Sequence, residues 1–291
     1  MNSISHSQLS RALMQIKPFV LEEIFQQLLQ KVHHHTLPNK HNSCYLIDSS
    51  TFTLGLQRHH WAEFRKTKSG IKLHLKVCLM DDETIYPSEF TITHAKEHDV
   101  NQMEVLVNKA EATYVFDRGY LDFERLDQMN WDGYFFVTRI KKNTQVHVID
   151  TLEKSPDAGI LKDELVQLGS SNYLTSLFRL VTVQDEKGRI IQILTNRMDL
   201  TSKEIADLYK ARWKIELFFK HIKQNLTVKT FYSNSEVGVQ NQLLLAMITV
   251  LLTLLIQLET KTTKSIFQIK RFFRNLTFKP FTYWFEQLVP T

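Results

Sequence analysis

Four residues in the stretch LYKARWKIELFFKHIKQNL could do chemistry together: Tyr209, Arg212, Glu216 and Lys223. On a helix turning about 100° per residue they fall within an arc of about 60°. Leu208, Ala211, Ile215, Phe218 and Ile222 form a separate apolar stripe, the side expected to anchor in a core. One helix then presents a carboxylate, two cations and a phenol, a set suited to a metal ion and a phosphate. Partner carboxylates are expected at strand ends that project into a shared cleft. Asp48 closes the apolar run CYLID and Asp117 closes TYVFD. Two Asp and one Glu are the hard oxygen ligands that Mg²⁺ takes while keeping water and phosphate in its remaining positions. Two such ions, about 3.5–4 Å apart, would activate the attacking oxygen and stabilise the leaving one. Taken singly, an aspartate ending a strand is ordinary turn chemistry, and a lone Glu216 is a solvated face residue; the combination with Arg212 and Lys223 carries the reading.

The elements that must hold these residues are legible in outline. CYLID is a short β-rich run, IKLHLKVCLM alternates like a half-buried strand, and ETIYPSEFTIT is a strand with Pro87 at an edge or bulge. Residues 96–110 have helical spacing, TYVFD is a strand, LDFERLDQM a helix and GYFFVTRI a strand. VHVID, LFRLVTVQ and RIIQILTN read as further strands, the last two joined through DEKG as a hairpin. A helix over residues 202–226 comes next, then a long apolar helix and a basic, aromatic tail. The expected division is a short helical segment (1–42), the first part of an α/β core (43–140), a mainly β insertion (141–200), the rest of the core with the Glu216 helix (201–260) and the tail (261–291). This order implies a mixed sheet flanked by helices.

Composition sets bounds on partners. The 291 residues are 43% hydrophobic, enough for a large core. A net charge of +5 with a pI near 9.0 permits a polyanionic partner without requiring one. Cys44 and Cys78 are the two cysteines, which excludes a disulfide framework and suits a reducing cytosol. The first fifteen residues lack the continuous apolar stretch of a signal peptide. The apolar run at 243–256 falls short of the roughly eighteen residues a membrane span needs, so it is read as a buried helix and no membrane is expected.

The spacing Tyr209, Arg212, Glu216, Lys223 resembles the YREK signature of the insertion-sequence-four family of DDE transposases, in all four letters and all three gaps. LIDSSTF around Asp48 resembles the family's first-aspartate strand, AEFRKTKSGIKLHLKV the strand pair after it, and DRGY the second-aspartate motif. FVTRIKKN resembles the entry to its β insertion, and HIKQNLTVKTFYSNSEVGVQNQL resembles the segment just past the signature helix. The resemblance covers residues 43–255. It implies an RNase H-like core, with Asp48, Asp117 and Glu216 binding two Mg²⁺ (or Mn²⁺) and the insertion lying between the second and third carboxylates. It further implies metal-dependent phosphodiester cleavage and strand transfer at the ends of an insertion sequence. The partners would be the terminal inverted repeats and target DNA, bound by a homodimer in a synaptic complex, in the bacterial cytoplasm at the nucleoid. Arg212 would grip phosphate in a bidentate way, Lys223 would supply a point charge, Tyr209 would donate to a phosphate or stack near a base, and Arg139 would contact DNA at the start of the insertion.

Two other readings belong beside it: a copy that binds DNA without catalysis, and a sequence-independent nuclease of the same fold. About forty residues precede the first strand, fewer than the family's DNA-binding region, so a truncated front or a compact subgroup is expected. His94-Ala95-Lys96-Glu97-His98 spells an inverted zinc-peptidase pattern, but it comes after a strand-like run and is read as straddling a strand-to-helix join; His98-Asp99 also resembles a pair in the transposase family. Trp131 and Trp213 are read as core packing ahead of base-stacking platforms. His33–His35 is read as solvated linker, Asp81 and Asp82 as turn residues, and His59, His60 and Trp61 as residues that could approach DNA. In the tail, aromatic residues interleaved with cations suit nucleic acid as well as a closing helix.

Overall fold

The computed structural model describes residues 4–35, 44–81, 84–157, 159–169, 174–225, 230–276, 279–280, 282–283, 286 and 288. Two helices open the chain, α1 (His6–Gln15) and α2 (Pro18–His35). Ser5 caps α1 in a capping box with Gln8, two N-terminal donors being satisfied reciprocally. His33–His35, read as solvated linker, are instead the last residues of α2, and residues 36–43 lie outside the described residues.

The next elements build a sheet from one end. β1 (Cys44–Leu54), the short β2 (Glu63–Arg65), β3 (Lys68–Leu79) and β4 (Ile85–His94) are antiparallel neighbours. A 3-10 turn (Asp99–Gln102) and one turn of helix, α3 (Met103–Leu106), lead to β5 (Thr113–Phe116). β5 runs parallel to β1, with Ile47 opposite Phe116. α4 (Phe123–Trp131) returns the chain to β6 (Phe135–Arg139), parallel to β5. The order β4-β3-β1-β5-β6, three antiparallel strands and then two parallel ones reached through helical crossovers, is the RNase H-like arrangement.

Four strands then extend the same sheet: β7 (Val146–Thr151), β8 (Ile160–Leu168), β9 (Phe178–Gln184) and β10 (Ile190–Thr195). β10 pairs with β6, so the stretch read as an insertion continues the central sheet and brings it to ten strands. The β9–β10 hairpin closes where DEKG was read as a turn; Gly188 there has φ +74°, a conformation that suits glycine. α5 (Ser202–Ala211) and α6 (Trp213–Asn225) come next, then α7 (Glu236–Thr260) and α8 (Ile266–Leu276).

Three expectations about elements are corrected. The helix expected over 202–226 is two helices meeting at Arg212, where Arg212 and Ile215 each donate to the carbonyl three residues back, at 3.2 Å. This tightening breaks the ladder without a proline or glycine to announce it. Residues 96–110 form mainly a 3-10 turn and one helical turn rather than a regular helix. α7 is also longer than its apolar run: by length and composition alone it could cross a membrane. Most of that window is buried, with Val239, Leu243, Met247, Leu251 and Leu254 in the core against α1, α2 and β4. Asn241 on α7 clasps the α1–α2 junction, its Nδ2 donating to the carbonyls of Leu13 and Ile16 at 2.7 Å each.

Candidate active site

Asp48 lies inside β1 rather than at its end, a correction to the expected strand boundary. The chain continues as a strand because Ser49, Ser50, Thr51 and Phe52 keep pairing with β3. On the other side β5 stops opposite Ile47. Asp48 therefore stands at the first position where β1 loses that neighbour and a cleft opens. Asp117 is the residue after β5, in extended conformation, with its carbonyl accepting from Tyr120 N at 3.0 Å. Parallel pairing thus brings the two aspartates to the same level of adjacent strands.

The third carboxylate arrives from α6, which packs on β1. Ile215, Phe218 and Ile222 are buried, and Leu208 and Ala211 pack at the edge of the core. Arg212 joins the group: its guanidinium donates to Glu216 Oε1 at 2.8 Å and lies 3.9 Å from Asp48 Oδ2. Arg139, the last residue of β6, donates through Nε to Asp117 Oδ1 at 2.9 Å. The carboxylates are therefore held by guanidiniums. Among the described residues no three His, Cys, Asp or Glu side chains come close enough to one another to hold a metal.

The electrostatics agree with a shared site. Burial pushes the Asp48 carboxyl up to about 6, the negative charges of Glu216 and Asp117 push the same way, and the Ser49 N–H and Arg212 only partly offset them. Ser49 N donates to Asp48 Oδ1 at 2.8 Å. Tyr209 is buried, its hydroxyl has no hydrogen-bond partner, and the Arg212 guanidinium carbon is 5.7 Å from its ring centre. Burial raises the Tyr209 phenol above its ordinary value, so it is a hydroxyl donor at neutral pH. Lys223 donates to the carbonyl of Thr51 at 2.8 Å and lies 4.8 Å over the Phe52 ring, with its pKa lowered by burial. A cleft of about 540 Å³ is lined by Asp48, Ser49, Ser50, Glu216, Lys220 and Lys223 among others. A larger cavity of about 690 Å³ lies between α2, β4 and α7, lined by Trp61, Phe90 and Leu244 among others, and none of the three carboxylates lines it.

The remaining sequence candidates resolve differently. Trp131 and Trp213 are 71% and 57% exposed, which overturns core packing for both. His59 is buried between the carbonyls of Gly55 and Ser233, and Trp61 donates to Asn234 O at 2.8 Å, so both tie the β1–β2 connection to the loop before α7. His94 ends β4 and His98 precedes the 3-10 turn, so the two do not share a helix. Asp81 accepts from Thr84 N as a turn residue; Asp82 lies outside the described residues, as does part of the tail.

One contributor was not assigned a role from the sequence. Asp99 accepts a hydrogen bond from Ser49 Oγ at 2.6 Å, beside Asp48. Its signal in the sequence was the His98-Asp99 pair.

Residues 39–252 match the family described as "Transposase DDE domain". Over 224 residues the chain is 33% identical to a probable transposase for insertion sequence element IS5377 from Geobacillus stearothermophilus, covering 76% of this chain and 58% of that protein. It is 32% identical to the putative transposase y4zB from Sinorhizobium fredii (79% of this chain, 65% of that protein). To a putative transposase for insertion sequence element IS4SA from Synechocystis it is 27% identical (51% and 43%). The chain thus spans less than two thirds of the length of each of these relatives. Among solved structures, a piggyBac transposase synaptic complex with hairpin DNA aligns over 95% of this chain and 64% of that one, with 11% identity and a TM-score of 0.48.

Proposed function

As the chain belongs to the transposase DDE domain family, we propose that it is a DNA transposase, cutting and joining phosphodiesters at the ends of an insertion sequence, with Asp48, Asp117 and Glu216 as its catalytic carboxylates. The observation that carries this is the meeting of three distant chain segments: Asp48 and Asp117 at one level of two parallel strands, and Glu216 linked to Asp48 through Arg212. The Tyr209, Arg212, Glu216, Lys223 spacing supports placement in the insertion-sequence-four group.

Three carboxylates and no sulfur ligand are the donor chemistry of Mg²⁺ or Mn²⁺. Asp48, Asp117 and Glu216 would hold two such ions, which when bound supply an activated water and charge neutralisation at phosphate. Arg212 and Arg139 bring positive charge to the same carboxylates. Both guanidiniums would grip phosphate oxygens, Arg212 in a bidentate way. The orphaned Tyr209 hydroxyl fits the same reading, since a buried donor without a partner costs about 1–3 kcal/mol and a phosphate oxygen would satisfy it. Lys223, on the rim of the cleft, adds a point charge to the DNA backbone. Trp213 is exposed next to Arg212 and is offered to an unstacked base. On this reading residues 43–140 and 201–260 form the catalytic core and 141–200 its β-rich insertion, flanked by 1–42 and 261–291. A homodimer acts on paired ends at the bacterial nucleoid.

The test is cleavage of a labelled duplex carrying the sequences that flank the gene, with Mn²⁺. Cuts confined to element ends are expected, and they disappear in Asp48→Ala, Asp117→Ala and Glu216→Ala tested singly. A variant that keeps full metal-dependent cleavage removes that residue from the triad. Cuts at arbitrary positions indicate a general nuclease, and binding without cutting indicates an inactive copy.

A further inference from the structure

We infer that Asp99 is a positioning residue: through Ser49 it fixes the backbone N–H that orients the carboxylate of Asp48, and it braces the turn just past Asp117. The inference rests on the catalytic reading of those two aspartates.

Successive side chains of a strand leave opposite faces. Ser49 therefore points away from the face on which Asp48 stands, and toward Asp99. Its hydroxyl donates to Asp99 Oδ1 at 2.6 Å, while its own N–H donates to Asp48 Oδ1 at 2.8 Å. Holding the hydroxyl thus holds the peptide that aims the carboxylate, in the way that outer hydrogen bonds orient metal ligands elsewhere.

Asp99 is itself fixed. Lys72 Nζ stands 3.3 Å from Oδ1 and donates to Glu97 O at 2.7 Å. His74, directly across β3 from Ser49, is fully buried, with Nδ1 3.5 Å from the same oxygen and Nε2 2.9 Å from Thr93 Oγ1. Lys72 and His74 are two apart on one strand and so share a face. On α4, Arg125 bonds the Val100 carbonyl and pairs with Glu104 at 3.2 Å, pinning the loop just past Asp99.

The other carboxylate oxygen reaches the second aspartate's turn. Oδ2 is 3.8 Å from where a Cβ on Gly119 would stand, so the DRGY turn packs on Asp99. Tyr120 of that turn is buried and its hydroxyl has no partner. One side chain therefore touches both the strand that carries Asp48 and the turn next to Asp117.

The experiment is Mn²⁺ titration onto the DNA-free full chain, by calorimetry, with melting temperature recorded in parallel. Ser49→Ala is expected to raise the half-saturating Mn²⁺ roughly tenfold, within the ten- to hundredfold range of outer-shell substitutions, with the metal-free melting temperature nearly unchanged. Asp99→Asn shifts it the same way, and the double variant is no weaker than the weaker single. An unchanged half-saturation in Ser49→Ala, or additive losses in the double variant, overturns the inference. If Asp99→Asn does not fold, Ser49→Ala alone decides. Asp48→Ala separates the two levels. If it leaves Mn²⁺ binding and cleavage intact, the catalytic reading fails. If it abolishes both while Ser49→Ala binds as before, only the positioning role of Asp99 fails.

Discussion

Two aspartate–arginine pairs, one in each half of the sheet, are built to opposite ends. In the β7–β10 half, Arg179 on β9 meets Asp163 on β8 through two parallel bonds of 2.8 and 2.6 Å, and its Nη1 reaches the carbonyls of Arg197 and Leu200. Both side chains are sealed, at 7% and 0% exposure. In the other half, Arg139 meets Asp117 through one bond, with about a third of each side chain open to solvent. In the sealed pair every guanidinium nitrogen is bonded, so moving either partner strands a buried charge. The open pair keeps spare donors and a route for another ligand. Similar residue types therefore serve the fold in one half and remain free for exchange in the other.

Five variants can break or sharpen this contrast. Arg179→Ala leaves Asp163 buried and unpaired, and is expected to cost about 3–5 kcal/mol in urea denaturation. Arg139→Ala, at a partly exposed pair, is expected to cost less than about 1 kcal/mol; equal costs would erase the distinction.

Asp48→Asn is expected to stabilise the protein by about 2 kcal/mol at pH 8. The Asp48 carboxyl titrates near 6 in the fold, against about 3.9 in an unfolded chain. Folding therefore favours its protonated form. Stability is lost as pH rises from about 4 through 6 and stays lost above. The advantage of Asn should accordingly be full above pH 6 and vanish near pH 4, read as melting temperatures at the two extremes; a gain independent of pH would contradict the assignment.

Arg139→Gln removes a competitor for Asp117. Mn²⁺ binding to the DNA-free protein is then expected to tighten a few-fold, while binding to DNA weakens; weaker metal binding would mean that Arg139 helps to build the site. The smallest effect is on Lys223. Lys223→Ala should lower the salt dependence of DNA binding by about one counterion, and an unchanged slope would remove Lys223 from the backbone contacts.

The strands that bear the aspartates were legible because each is a dense apolar run broken by a single carboxylate, as in CYLID and TYVFD. Residue types alone did not show that Asp48 lies mid-strand, because that depends on where β5 stops beside β1. The joining of β10 to β6 was hidden for a similar reason: Arg139 and Ile193 pair across more than fifty residues, and a period-2 pattern does not name its partner. The break at Arg212 falls within good helix formers, so propensity predicted continuity. Trp131 and Trp213 were misplaced by their bulk, since large aromatics favour burial on average. Asp99 carries no apolar context and does its work through a hydroxyl fifty residues away. Its type and neighbours could suggest an ion pair but not which strand it would brace.

The clasp between Asn241 and the α1–α2 junction has a consequence for how the protein is made. α1 and α2 leave the ribosome before α7, and this helix, which covers their apolar side, is translated about two hundred residues later. At roughly 5–20 residues per second that is a wait of about 10–40 s with Leu21, Phe25, Leu28 and Val32 uncovered. Nascent chains should accordingly engage chaperones early, and α7, oily enough to aggregate, depends on that opening pair being present when it finally emerges.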